Sequence, residues 1–147
     1  MADAQRRAHA VWTGTLAQGA GTVTLESSGL GGPLPATWAS RTARSDGKTS
    51  PEELIAAAHA TCYSMALSHG LTEAGTPPTR LETDATCTFA QVEGGSRIAS
   101  VELHVKGAVS GIDDAAFAAA AEQAKDGCPV SQALKGNVAI SVTAELA

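Results

Sequence analysis

Apolar and polar residues alternate most cleanly over residues 97–109. Val101, Leu103 and Val105 fall on one face, and Glu102, His104 and Lys106 on the other. A period of two predicts a half-buried strand. Residues 137–145 repeat the pattern, with Val138, Ile140 and Val142 on one face, and residues 80–92 follow it loosely. Gly94 and Gly95 separate the two long stretches and predict a hairpin turn. His9–Thr13 and residues 21–26 read as two short strands, punctuated by Gly14, Gly19 and Gly21. Residues 27–35 (SSGLGGPLP) read as a loop and residues 36–42 as a third strand. Residues 43–50 (ARSDGKTS) read as a polar, mobile surface loop.

Between these stretches the period changes. SPEELIAAAHATCYSMAL, residues 50–67, is apolar in every helical direction, so it predicts a helix buried inside the domain or between subunits. Ser50 as N-cap, Pro51 at the first position and Glu53 three residues past the cap mark its start, and Gly70 its stop. A second helix begins at Asp113 or Asp114 and runs to Asp126. Gly127 breaks it, and Cys128-Pro129 opens a short third helix to about Lys135. The order βββ-α-ββ-αα-β predicts an α+β fold, a mainly antiparallel sheet with a long buried central helix. Residues 1–147 read as a single domain, without internal repeat or linker.

Composition narrows the partners. The formal charge is −5 and no basic stripe is present, which argues against nucleic acid as a partner. No apolar run is long enough to span a membrane. MADAQRRAHAVW has no apolar centre of the kind a signal peptide carries, so a cytoplasmic location is expected. Aromatics make up only 3% of residues. A core built from Ala, Val and Leu is thin in bulk and gains from oligomerisation.

Three cysteines, Cys62, Cys87 and Cys128, are too few for a disulfide framework. Cys62 sits in the all-apolar helix, where it is either a small core residue or a nucleophile. As a nucleophile it needs a cation nearby, because burial alone raises a thiol pKa. Cys128 caps the third helix, either by chance or because the helix end stabilises a thiolate. Two helical cysteines in special positions point to a dithiol that cycles through a disulfide. Cys87, on a strand with no adjacent charge, reads as packing.

SPEELIAAAHATCYSMALS and GCPVSQALKGNVAISV closely resemble the OsmC/Ohr family, the osmotically inducible protein C and organic hydroperoxide resistance proteins. AHATCYSMALS is more similar to the OsmC branch. HAVWTGTLAQGAGTVTLES resembles the family's opening hairpin, and SGIDDAAF the segment before its second helix, so the resemblance covers essentially the whole chain. It implies an intertwined homodimer and a cysteine-based peroxidase that reduces organic hydroperoxides to alcohols in oxidative and osmotic stress defence. Cys62 would then be the peroxidatic cysteine and Cys128 the resolving one. The resemblance also implies a Glu, matching Glu52, and an Arg. Arg41 in WASRT matches best, with Arg44 as the alternative. No cofactor or metal is implied, and the reductant would be a dithiol, for instance a dihydrolipoyl protein.

Under this scheme Arg41 lowers the Cys62 pKa and binds the peroxide, while Glu52 orients the guanidinium. Glu52 and Cys62 are ten residues apart, roughly 15 Å along a helix. A Glu52 that serves a Cys62 would therefore serve the partner's, across two antiparallel copies of the helix. His59, three residues before Cys62, reads as a satisfied buried histidine. The competing readings are a Cys62–His59 hydrolase, a zinc-binding protein and a non-enzymatic redox sensor.

Overall fold

Alternation becomes sheet wherever it is predicted; the differences from the sequence reading lie at element ends and over residues 38–42, which are helical rather than extended. The structure is a computed structural model that describes residues 3–147. Met1 and Ala2, which open the polar amino-terminal stretch, lie outside the described residues. The chain divides into two units, Met1–Pro51 and Glu52–Ala147.

In the amino-terminal unit, β1 (His9–Thr13), β2 (Ala20–Thr24) and β3 (Leu34–Ala36) form an antiparallel sheet in that order. His9 lies opposite Thr24, and Gly21 opposite Ala36. The third strand predicted over residues 36–42 ends at Ala36, and the rest is a helical turn, α1 (Trp38–Thr42). A reciprocal cap explains the switch. Thr37 is extended, and its hydroxyl accepts from the Ser40 N–H at 3.0 Å, while Ser40 Oγ accepts from the Thr37 N–H at 2.9 Å. Such a box satisfies two otherwise orphaned donors at a helix start. Ser40 Oγ also lies 2.8 Å from the Thr49 carbonyl, and the Thr49 N–H donates to Pro35 O at 2.8 Å. The surface loop is thus pinned at its carboxyl end. Residues 43–47 are exposed, and the loop turns through positive φ at Asp46 and Gly47.

The second unit begins in α2 (Pro51–Glu73). Gly70 does not end this helix; a mid-helix glycine costs only about 1 kcal/mol relative to alanine. Gly75, at φ 85°, ends it. There the Thr76 N–H reaches Leu71 O at 2.9 Å and the Gly75 N–H reaches Thr72 O at 3.0 Å, the paired bonds of a Schellman cap. The hairpin β4 (Pro78–Val92) and β5 (Gly95–Val109) follows. Val92 already pairs with Gly95, so the turn residues are Glu93 and Gly94, with Gly94 at φ 91°. α3 (Asp114–Gly127) is capped by Asp113, whose carboxylate accepts from the Ala116 N–H at 2.8 Å. α4 (Pro129–Leu134) and β6 (Ala139–Leu146) complete the chain.

The sheet order is β4-β5-β6, antiparallel then parallel. The parallel pair needs a crossover, which α3 and α4 supply. On β5 the predicted inward face, Val101, Leu103 and Val105, is at most 2% exposed. Tyr63, Leu67 and Leu71 of α2 and Phe117 and Ala121 of α3 complete this core. Gly107 on β5 is required by shape, because a Cβ there would stand 2.5 Å from Phe117 Cζ. Polar ties join the layers. Tyr63 Oη donates to Ala121 O at 3.0 Å, and Ser64 Oγ meets Thr83 Oγ1 at 2.7 Å.

Within one chain α2 is buried along a stripe, at Glu52, His59, Tyr63, Leu67 and Leu71. Its opposite side, with Ala57, Ala58 and Met65, stays exposed, Met65 by 68%. A single chain covers one side of a helix that reads as apolar all round.

Candidate active site

Cys62 and Cys128 meet where α2 faces the start of α4. Cys62 is half-buried and Cys128 is fully buried, and both are free thiols. α3 and α4 meet without a spacer at Cys128, which ends one and caps the other with an extended backbone. Its N–H closes α3 on Ala124 O at 2.9 Å, and its carbonyl accepts from the Gln132 N–H at 3.0 Å. The Cys128 side chain makes no capping hydrogen bond. Instead the Val130 N–H, a free donor of the first turn of α4, points at the Cys62 sulfur. The helix-end donor expected for Cys128 thus serves Cys62.

Burial pushes the Cys62 thiol above its ordinary range, the Val130 N–H pulls it down, and the neighbouring Cys128 sulfur pushes it up again. The net direction is upward, so these groups alone do not make Cys62 a ready thiolate.

His59 lies one turn before Cys62 and is completely buried. Its Nε2 is 2.7 Å from the Ser131 hydroxyl on α4. Its Nδ1 is buried with no hydrogen-bond partner among the described residues. Burial lowers its pKa, so the ring is neutral near pH 7. The ring bonds Ser131 rather than Cys62, unlike the nucleophile–base pair of a hydrolase. Among the described residues no three His, Cys, Asp or Glu side chains gather as a metal set.

Glu52 is buried at the amino end of α2, and its charge is felt by Cys87 on β4, whose thiol is pushed up by burial and then by that charge. Glu52 and Cys62 share one continuous helix, so their ten-residue separation is roughly 15 Å along the axis. Arg41 lies half-buried in α1, its guanidinium 5.9 Å from the Trp38 ring centroid. Arg44 is exposed and 3.9 Å from Asp46, also exposed. The structure brings Cys62 and Cys128 into one place.

Beside Cys62 runs an open groove of about 1050 Å³ between α2 and α3. Met65, Ala66, Ala116, Ala120 and Pro129 give it a mainly apolar lining. The sequence reading did not find Val130 and Ser131. The signal for Ser131 was a matched spacing: His59 stands three residues before one cysteine and Ser131 three residues after the other.

Residues 44–143 match the family model of OsmC-like proteins. The chain belongs to the OsmC-like family. Relatives of this OsmC-like chain extend the match toward its amino terminus. The peroxiredoxin OsmC of Escherichia coli (strain K12) is 42% identical over 135 residues, 92% of this chain and 93% of the relative. An organic hydroperoxide resistance protein of Xanthomonas axonopodis pv. citri is 32% identical over 96 residues, 65% of this chain and 66% of its own length. The crystal structure of the organic hydroperoxide resistance protein OhrB of Bacillus subtilis superposes with a TM-score of 0.74 at 26% identity. That match covers 96% of this chain and 98% of the other.

Proposed function

We propose that this OsmC-like protein is a thiol-dependent peroxidase that reduces organic hydroperoxides to alcohols. The observation that carries the reading is the juxtaposition of Cys62 and Cys128 beside an apolar groove, together with relatives named peroxiredoxin OsmC and organic hydroperoxide resistance protein. The Cys62 thiolate attacks the distal peroxide oxygen, releases the alcohol and becomes a sulfenic acid. Cys128 attacks that sulfur, expels water and closes a Cys62–Cys128 disulfide, which an external dithiol reopens by exchange. No further cofactor enters the cycle.

The upward push of burial on Cys62 gives the scheme a requirement for a cation. Arg41 is assigned to it. Its half-buried place on a capped helical turn supports it over the exposed Arg44. Glu52 is assigned to orient that guanidinium, and the axial distance from Cys62 favours a dimer in which each Glu52 serves the partner's site. The exposed apolar side of α2 supports the same arrangement, since a second copy of that helix would cover it. Residues 1–147 are read as one domain. No helix is long and apolar enough to cross a membrane, and a cytoplasmic location, with reducing dithiols at hand, fits the cycle.

Cumene hydroperoxide consumption by the reduced protein tests the reading. Wild type should lose two thiols per chain. Cys62→Ser should consume no peroxide, and Cys128→Ser should turn over once and not recycle with dithiol. Normal consumption by Cys62→Ser would overturn the assignment. Mixing inactive Cys62→Ser and Glu52→Gln subunits should restore part of the activity if sites are shared. A fully active monomer in native mass spectrometry would refute the dimer.

A further inference from the structure

We propose that His59 and Ser131 are positioning residues for the resolving step: their hydrogen bond holds Cys128 within reach of oxidised Cys62. The inference rests on the roles given above to the two cysteines. Two ties fasten the first turn of α4 to α2. The Val130 N–H is on the Cys62 sulfur, and Ser131 Oγ is 2.7 Å from His59 Nε2. The first involves the reacting atom and is disturbed when that sulfur is oxidised. The second does not touch the sulfur, so it survives oxidation. His59 and Ser131 are 0% and 4% exposed, so water does not compete for their bond.

Cys128 lies between the fixed end of α3 and the fixed first turn of α4, with no slack residue on either side. In the resolving step the Cys128 sulfur attacks the sulfenyl sulfur of Cys62. A sulfur–sulfur bond forms and the sulfur–oxygen bond breaks. The oxygen leaves with the thiol proton as water, so the Cys128 sulfur is oxidised and the sulfenyl sulfur reduced by one step each, to the shared disulfide level. The gain from holding two such groups together is a high effective concentration, and a shift of about 1 Å can forfeit on the order of a hundredfold in rate. A neutral ring with its proton on Nε2 suits the task, because it donates to Ser131 Oγ and leaves no N–H at Nδ1, where the described residues offer no acceptor.

The test separates the two half-reactions. Reduced protein receives one equivalent of cumene hydroperoxide. Cys62 oxidation is followed by dimedone trapping and disulfide closure by thiol loss, both by mass spectrometry. Ser131→Ala and His59→Leu should oxidise Cys62 at close to the wild-type rate. They should close the disulfide at least about tenfold more slowly and accumulate sulfinic acid under excess peroxide. Ser131→Thr keeps the hydroxyl and His59→Gln keeps a terminal amide near Nε2; both should restore much of the closure rate. A general loss of packing would slow both half-reactions and would not be rescued. Wild-type closure in Ser131→Ala and His59→Leu, or equal slowing of both half-reactions in Ser131→Ala, overturns the proposal. Cys128→Ser is the control beneath it. If sulfenic acid persists no longer there than in wild type, the assignment of Cys128 as resolving residue fails instead.

Discussion

The two units of the chain are specified by different means. In Glu52–Ala147 the determinant is volume: every buried apolar side chain among the described residues lies in this unit, from Tyr63 to Val138. In Met1–Pro51 the buried residues among those described are Ser40 and Thr49, both polar and joined by a hydrogen bond to backbone. The apolar side chains of that unit include Val11, Leu16 and Leu30, exposed by 52%, 59% and 68%. Caps and turns specify the first unit, and a close-packed interior the second. Packing is costly to disturb, whereas a lost cap or turn costs little.

Substitutions can break that contrast. Phe117→Ala empties a site that is 1% exposed and should cost about 3–5 kcal/mol in urea unfolding; a cost like that of a surface change would mean the core is not the determinant. Gly107→Ala drives a methyl group into the Phe117 ring, 2.5 Å from Cζ, and should cost about 1–3 kcal/mol. Combined with Phe117→Ala, its extra cost should shrink, because the clash is then gone.

Acid should reveal the second unit too. His59 has its pKa lowered by burial from an unfolded value of 6.5, so the unfolded chain takes up a proton that the folded chain refuses. The contribution is complete above pH 6.5 and falls as pH drops from there toward the lowered folded value, by no more than about 1.4 kcal/mol per pH unit. Denaturation midpoints of wild type and His59→Gln across that window check this; equal slopes would contradict it. In the first unit, Thr37→Ala removes the cap of α1 and should cost about 1 kcal/mol. Leu16→Ser, at an exposed position, should stay within about 0.5 kcal/mol in thermal unfolding. A larger loss would show that Leu16 is covered by a partner in solution.

The same contrast governs what was legible in the sequence. Alternation on β5 reported burial correctly at Val101, Leu103 and Val105, because a period of two leaves only one face for the core. A cap at Asp113 or Asp114, of which Asp113 serves, and Cys128 as the junction of two helices were legible because capping chemistry is local. The misreadings came where a local signal competed with a stronger one nearby. Residues 36–42 read as strand until the Thr37–Ser40 box is weighed, and Gly70 read as a stop although Gly75 has the required backbone. At the site, the cysteines stood out by residue type. Val130 contributes only a backbone N–H, which no side-chain pattern announces, and Ser131 matters only once α4 lies on α2.

In the proposed cycle, the unequal exposure of the two thiols sets a direction for the recycling reaction. Exchange proceeds through attack on one sulfur of the disulfide and departure of the other. Cys62 borders the open groove, whereas Cys128 is fully buried. An incoming thiol therefore has one sulfur to strike, and Cys128 is the leaving group. The mixed disulfide forms on Cys62, and the departing sulfur stays beside the bond it has just released. A monothiol can thus be expelled again before a second one arrives, whereas a dithiol completes the exchange within its own adduct. Acid quenching after brief treatment with a monothiol, followed by alkylation of the unfolded chain, should mark Cys128 and leave the adduct on Cys62; the opposite labelling would reverse the direction.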